Sequence, residues 1–249
     1  MNQTRPAPYG LMNAIRPIDV LLIGAGGNGS EFFSGLVRLH SGIVALGGKG
    51  LNVTVVDDDT VSESNIVRQR FWNHEIGMPK AVALVNRTNI LMGLGWKAEV
   101  RRLAKPLETE GFDLVVTAVD NIAARKLIAE SSLGHTLWLD MGCDRDKAQA
   151  VLGLHGSNKL SDDLPTVLAH FPDMLEQEIE ATPSCSAAES ISRQDLMINQ
   201  TIASAAVNML WRTVRTGQVP YNGIIVDLAQ GLTQAIPFMP TKAKESLAA

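Results

Sequence analysis

A glycine-rich turn is the first feature of the sequence that could bind a nucleotide. It directly follows the apolar run 20–23. Its glycines are Gly24, Gly26, Gly27 and Gly29. Glycine permits a tight turn at Gly24, close approach of the backbone to a phosphate at Gly26, and close packing of a helix on a strand at Gly29. The helix predicted to follow presents unpaired N–H groups to an anion. By itself, such a turn is a weak signal.

Acidic, basic and amide side chains further along could supply the other groups that a nucleoside triphosphate needs. Asp57 ends the second predicted strand, where its carboxylate could accept hydrogen bonds from ribose hydroxyls, and Asp59 could assist it. Arg68 could fork onto phosphate oxygens, with Lys80 as a compact point charge beside them. Asn65 could donate its amide to the same phosphates. Alternatively, Asp57 is an ordinary turn acid and each cation a solvated surface charge.

Two more residues, an acid and a cysteine, follow predicted structural boundaries. Asp120 ends the apolar strand predicted at 113–119, at the carboxyl edge where ligands bind in open α/β sheets, although it could instead cap the next helix. Cys185 precedes a predicted helix start, which lowers a thiol pKa and favours thiolate, but an inert buried cysteine is the alternative. Cys143 is expected to pack at a strand end. The five histidines show no ligand spacing.

The pattern of strands and helices predicts a doubly wound, Rossmann-like α/β fold with a mostly parallel sheet and a C-terminal antiparallel extension. Asp57 lies 33 positions after Gly24, where a dinucleotide fold expects about 20, and a loop insertion at 41–50 is expected to absorb the difference. Predicted strands are 20–23, 53–57, 97–103, 113–119, 136–141 and 149–154. Predicted helices are 31–39, 81–91, 122–131 and 186–214. A closing hairpin pairs 223–228 with 232–238.

The predicted domain organisation is one domain with short ends. Residues 1–18 form an irregular N-terminal arm and residues 241–249 a tail. The domain spans residues 19–240, and residues 155–183 form a long connection of the crossover type. Such long connections are usually functional or mobile.

Composition excludes several classes of protein. The net charge of −4 argues against sequence-independent nucleic-acid binding, which needs a basic face. Two cysteines provide neither a disulfide framework nor a CxxC pair. No apolar run approaches the ~18–20 residues of a membrane span. We therefore expect a cytoplasmic protein with no nucleic-acid or membrane partner.

Five ordered motifs together resemble the ThiF/MoeB superfamily of enzymes that activate ubiquitin-like proteins by adenylation. The resemblance covers about residues 19–154, with a weaker echo at 183–185 and in the hairpin. Within that superfamily, the chain is similar to the ThiF-related protein of the PRTRC cassettes of plasmids and phages. The motifs are the glycine turn 24–29, the acidic strand end 57–61, and the segments 64–69, 77–80 and 119–121.

The resemblance implies ATP·Mg-dependent adenylation of the C-terminal carboxylate of a small ubiquitin-like, β-grasp protein. It implies that Asp120 holds the Mg²⁺–ATP complex and that Arg68 and Lys80 act at the phosphates. Cys185 takes the place of a cysteine that forms a thioester or acyl-disulfide in some members. A homodimer is implied, in which an arginine acts in trans, and Arg16 is the candidate. Zinc is not expected, because the CxxC pairs of many relatives are missing.

Two other functions compete with adenylation. An NAD(P)-dependent oxidoreductase would explain the glycine turn and Asp57, but it leaves Arg68, Lys80 and Asp120 without a role. A catalytically silent scaffold that binds a nucleotide and a partner is the third hypothesis. The intact site motifs disfavour it.

Overall fold

The computed structural model describes residues 4–12, 15–102, 111–119, 122–130, 136–154, 164–176, 192 and 194–239. Asp120 and Cys185 lie outside the described residues, as do the predicted tail and the outer parts of the 155–183 connection. The strands are β1 (Arg5–Pro6), β2 (Ile18–Ile23), β3 (Leu51–Val56), β4 (Lys97–Glu99), β5 (Leu114–Thr117), β6 (Leu137–Cys143), β7 (Lys147–Leu154), β8 (Gln218–Val219), β9 (Gly223–Asp227) and β10 (Leu232–Ile236). The α-helices are α1 (Tyr9–Met12), α2 (Gly27–Ala45), α3 (Lys80–Met92), α4 (Ile122–Ala129), α5 (Val167–His170) and α6 (Ile198–Thr216).

One eight-stranded sheet dominates the structure, in the order β10-β9-β7-β6-β5-β2-β3-β4. Strands β4, β3, β2, β5 and β6 are mutually parallel. Strands β7, β9 and β10 then continue the sheet in antiparallel pairing. This arrangement confirms the predicted mostly parallel α/β fold with an antiparallel C-terminal extension.

Helices cover both faces of the sheet, which explains why the central strands carry unbroken apolar runs. In β2, Val20 and Leu22 face a large core that includes residues of α2, α3 and α6. Leu21 and Ile23 point to the opposite face, where they join a smaller core with residues of α4 and α5. The carboxyl ends of the parallel strands therefore meet at one edge, between the two helical layers.

The predicted loop insertion after the first helix was wrong, because the helix itself is longer. Helix α2 runs from Gly27 to Ala45 rather than over 31–39, and only residues 46–50 connect it to β3. Gly42 looks like a helix breaker in the sequence, but a Cβ there would lie 3.1 Å from the Trp211 ring of α6. The close packing of α2 and α6 thus uses a small residue inside a helix.

Three further boundaries differ from the predictions. Helix α6 begins at Ile198, and the residues 194–197 before it are not helical, so the predicted 186–214 helix is interrupted there. Strand β4 ends at Glu99. The N-terminal arm, expected to be irregular, contains α1 and the short strand β1, which pairs with β8. None of the helices in the described part of the chain is long and apolar enough to cross a membrane.

Candidate functional site

The glycine turn joins β2 to α2 and is closely packed on one side only. Gly24 has φ +93°, and a Cβ there would lie 2.6 Å from the carbonyl oxygen of Ala118, just after β5. A Cβ on Gly29 would lie 2.7 Å from the carbonyl carbon of Gly24 and closer still to its oxygen. At Gly26, by contrast, a Cβ would meet nothing within 4 Å. The turn is therefore open at Gly26, at the start of α2, and we call this open space, which a phosphate could enter, the phosphate cradle.

This asymmetry predicts different effects for two matched substitutions, one on stability and one on ATP affinity. Gly29→Ala forces the turn apart and is expected to destabilise the protein by about 1–3 kcal/mol in urea unfolding. Gly26→Ala should cost at most about 1 kcal/mol, because its methyl group enters open space at a helix N-cap. The methyl group would nevertheless occupy the cradle, so ATP affinity measured by calorimetry should fall about tenfold, a change of about 1.4 kcal/mol. Unchanged ATP affinity in Gly26→Ala would contradict the cradle.

Asp57, Asp59 and Lys80 lie together beside the glycine turn. The carboxylate of Asp57 accepts hydrogen bonds from the backbone N–H of Ala25 at 2.6 Å and of Asp59 at 2.9 Å. The ammonium group of Lys80, the first residue of α3, lies 2.9 Å from the carboxylate of exposed Asp59. Lys80 is itself buried. The structure thus brings two of the candidate acids and one candidate cation together, with Asp57 bonded to the turn.

Burial affects the protonation of Asp57 in this group. Burial raises the pKa of Asp57 above its ordinary value, and the backbone N–H of Ala25 and the charge of Lys80 oppose that rise. Burial destabilises the charged form of the carboxylate, and a ligand that donates hydrogen bonds to it would stabilise that form. Ribose hydroxyls are donors of this kind.

Arg68 belongs to a second hydrogen-bonded group. The side-chain oxygen of Asn65 accepts from the Ser62 N–H and orders the 3₁₀ turn Glu63–Asn65, from which the chain reaches Arg68. The guanidinium of Arg68 donates to the side-chain oxygen of Gln194. Burial lowers the pKa of Arg68, while the neighbouring thiol of Cys143 acts in the opposite direction. Asn65 therefore acts in the structure as a local cap, and its role as a phosphate donor stays a prediction.

Cys143, at the end of β6, is the centre of this second group. Its sulfur accepts a hydrogen bond from the Gln194 amide at 3.0 Å and donates to the Asn199 side chain at 3.3 Å. Asn28, in the first turn of α2, also bonds to it. Asn199 packs against the glycine turn, since a Cβ on Gly27 would lie 2.6 Å from its amide oxygen. The expected position of Cys143 at a strand end is found, but its polar surroundings were not foreseen.

Burial raises the pKa of the Cys143 thiol, against the hydrogen bonds from Gln194 and Asn28 and the charges of Arg68 and Arg125. Since the thiolate is the reactive form, alkylation by iodoacetamide should be at least severalfold slower in the native protein than in the urea-unfolded chain at pH 8. The pH midpoint of the native reaction should lie above that of the unfolded chain. Peptide mapping by mass spectrometry separates Cys143 from Cys185. Equal midpoints in both states would refute this expectation.

Gln194 and Asn199 are site residues that sequence reasoning missed. Both lie near or in the start of α6, 51 and 56 residues from Cys143 in the chain. The one local signal that could have indicated these residues is an Asn at position 199 within an apolar-periodic helix, because a buried amide needs polar partners. Among the described residues, Asn199 Nδ2 and Asn28 Oδ1 are buried without a hydrogen-bond partner.

A magnesium ion would depend on Asp120. Among the described residues, no three His, Cys, Asp or Glu side chains are grouped as a metal site. Magnesium bound with a nucleotide needs only one or two carboxylates, since phosphates and water complete its shell. Val119, the residue before Asp120, has its side chain beside Gly24, 3.1 Å from the position of an added Cβ. The chain thus reaches the glycine turn one residue before the predicted ligand.

Two other arginines have structural contacts. Arg16, the candidate for action in trans, forms ion pairs with Asp19 and Asp113 of its own chain, each at 2.7 Å. These acids lie at the amino ends of β2 and β5, at the sheet edge opposite the glycine turn. Arg70 pairs with Glu31 of α2 at 3.1 Å.

Together, Asp57, Asp59 and Lys80 lie beside the glycine turn, and Arg68 belongs to a hydrogen-bonded group that meets the turn at Gly27. Such a set can bind a ribose and its phosphates and can stabilise negative charge on them. It contains no described nucleophile that is exposed and activated.

Relatives of known sequence match part of the chain. Ubiquitin-activating enzyme E1 2 of Triticum aestivum is 31% identical over 130 residues, which cover 47% of this chain and 12% of that protein. The adenylyltransferase and sulfurtransferase UBA4 of Yarrowia lipolytica is 32% identical over 126 residues, 48% of this chain and 29% of the relative. The match thus spans less than a third of the length of either protein.

Solved structures match over more of the chain. The crystal structure of E. coli MccB with ATP has a TM-score of 0.63 at 14% identity, and the match covers 95% of this chain and 68% of MccB. The crystal structure of PaaA has a TM-score of 0.63 at 16% identity, with 94% and 68% covered. At such identities the likeness is one of fold. The model of the ThiF family matches residues 2–240, nearly the whole sequence, and the protein therefore belongs to the ThiF family.

Proposed function

We propose that the protein adenylates a carboxylate with ATP. The observation that carries the proposal is the open cradle at Gly26, with Asp57 and Lys80 held beside it by hydrogen bonds. A dinucleotide oxidoreductase needs the glycine turn and the acid, but it has no need for a buried cation at the start of α3. Homologues named as ubiquitin-activating enzymes and as an adenylyltransferase support the same reading.

In the proposed reaction, an oxygen of the substrate carboxylate attacks the α-phosphorus of ATP. The bond between that phosphorus and the bridging oxygen of the β-phosphate breaks, and an acyl-adenylate and pyrophosphate form. A carboxylate is a poor electrophile because its leaving group is poor, and AMP provides a better one. Lys80 and Arg68 stabilise the charge that develops on the phosphates, since preorganised cations favour the transition state over the ground state. Asp57 accepts hydrogen bonds from the ribose and fixes the nucleotide.

Mg²⁺ is the cofactor that this proposal includes, with Asp120 as its protein ligand. When bound, the ion would neutralise phosphate charge. Asn65 would donate to the phosphates if its amide N–H groups face them.

The proposed substrate is the C-terminal tail of a small ubiquitin-like or β-grasp protein. An exposed tail can enter a cleft at the carboxyl ends of the strands, where the cradle lies. Crystal structures of E. coli MccB include one with ATP and one with MccA, which supports a nucleotide and a macromolecular or peptide partner for this fold. Transfer of the acyl group to Cys185, a homodimer, a cytoplasmic location and the PRTRC assignment belong to the same proposal. They rest on the resemblance of the motifs alone.

ATP–pyrophosphate exchange tests the reaction directly. The purified protein is incubated with MgATP, labelled pyrophosphate and small ubiquitin-like proteins encoded beside its gene. We expect exchange with one of them, and none when its C-terminal residues are removed. Calorimetry with ATP and with NAD provides the second arm. Tighter binding of NAD than of ATP, or ATP binding without exchange for any of these partners, would reject adenylation.

A further inference from the structure

A chain of side-chain hydrogen bonds links Arg68 to the glycine turn through the C-terminal half of the protein. Arg68 donates to Gln194 Oε1, and Gln194 Nε2 donates to Cys143 Sγ at 3.0 Å. The Cys143 thiol in turn donates to Asn199 Oδ1 at 3.3 Å. Asn199 rests against Gly27, the first residue of α2. Each link runs from donor to acceptor in the same direction, so the chain has one consistent arrangement of protons.

Gln194 is the link on which this arrangement depends. A primary amide offers an acceptor oxygen and donor hydrogens on one rigid plane, so Gln194 can hold the guanidinium and the thiol at the same time. It comes just before α6, which is fixed against α2 by close packing, as the contact of Val207 with Gly35 shows. Gln194 lies in the non-helical residues just before this packed helix, while Arg68 follows a short 3₁₀ turn. A long arginine side chain on such a segment loses much rotational freedom when it is held.

A nucleophilic role for Cys143 fits the contacts less well. The thiol donates its own hydrogen to Asn199, so it is protonated in this arrangement. Burial also disfavours its thiolate. Cys143 thus acts as a polar spacer between two amides.

We propose that Gln194 is a positioning residue that holds the Arg68 guanidinium at the phosphate cradle, because Gln194 is bonded to Cys143 and Cys143 in turn is bonded to Asn199. The inference depends on the proposed function only in taking ATP as the ligand. An arginine that is already held in place binds phosphates more tightly, because its side chain loses less conformational entropy on binding. Loss of Gln194 should therefore weaken the binding of a triphosphate and leave the binding of the nucleoside unchanged.

Calorimetry on the full-length protein with ATP and with adenosine tests this role without any need for turnover. We expect Gln194→Met to weaken ATP binding about five- to tenfold and to change adenosine binding less than twofold. Arg68→Met should weaken ATP binding at least as much. In the double variant, Gln194→Met should add less than a twofold effect, since the residue it positions is gone. Gln234→Met, on the exposed edge strand β10, is the matched control and should match the wild type.

Variants of Cys143 test whether the hydrogen bonds at this position, rather than its sulfur, are needed for ATP binding. Cys143→Ser keeps a donor and an acceptor and should bind ATP within about twofold of wild type, whereas Cys143→Ala should lose about threefold. Wild-type ATP affinity in Gln194→Met, full additivity with Arg68→Met, or no loss in Arg68→Met would each overturn the inference. If these binding results hold but pyrophosphate exchange is never observed, the positioning role stands and the adenylation proposal fails.

Discussion

Replacing Lys80 by methionine is expected to lower the rate of ATP–pyrophosphate exchange about 100- to 1000-fold while the protein stays folded. One preorganised donor at the charge that develops in a transition state contributes an effect of about this size. The Lys80 ammonium lies 2.9 Å from Asp59 and beside the carboxylate of Asp57. Methionine fills the space of the buried lysine stem, so the packing of α3 should change little. Asp59 remains largely exposed to water, so it tolerates the loss of its partner.

Lys147→Met is the matched control for this substitution. Lys147 also pairs with an acid, Asp227 at 3.6 Å, but it is exposed and lies at the start of β7. Its exchange rate should equal that of the wild type. The loss in Lys80→Met should fall mainly on kcat, because the charge that Lys80 meets grows as pyrophosphate leaves. A rate within threefold of the wild type would remove Lys80 from the mechanism.

Replacing Arg125 by methionine is expected to lower the free energy of unfolding by about 3–5 kcal/mol, the usual cost of leaving one partner of a buried ion pair unpaired. Arg125 of α4 donates to the fully buried carboxylate of Asp140 at 3.0 Å and to the Met141 carbonyl at 3.1 Å. Thr117 also donates to Asp140, at 2.5 Å. The other oxygen of Asp140 has no hydrogen-bond partner within the described ranges. The carboxylate therefore depends strongly on the arginine.

Urea unfolding followed by circular dichroism measures this change. Arg101→Met breaks an exposed pair with Glu99 and should change stability by less than about 0.5 kcal/mol. The double variant Arg125→Met/Asp140→Leu removes both charges and should recover part of the loss. A loss below about 1 kcal/mol in Arg125→Met would mean that water or a rearranged partner replaces the arginine.

Local signals allowed much of the fold and one half of the site to be predicted. The glycine turn, the acid at the end of β3 and the helix start at Lys80 each depend on a few neighbouring residues. Pro79 pre-sets the backbone before α3, and the positive φ of +65° at Gly231 fits the predicted hairpin. Such features can be read from one stretch of sequence because their causes lie within it.

The other half of the site arises from contacts that no local pattern encodes. Gln194 is separated from Arg68 by 126 positions, and neither residue type indicates in the sequence that the two side chains are hydrogen-bonded. The length of α2 was missed for a similar reason. Gly42 favours a loop by local propensity, but it lies inside α2, where the Trp211 ring of a distant helix packs against it.

The separation of 126 positions between Arg68 and Gln194 also bears on the order of assembly. Closure of so long a loop is entropically slow and follows the pairing of nearer segments. While the polypeptide emerges from the ribosome, the βαβ unit with the glycine turn can form early, but its arginine gains its anchor only after α6 has been made. A nascent chain would thus hold phosphate loosely until Gln194 and the helix after it have been made.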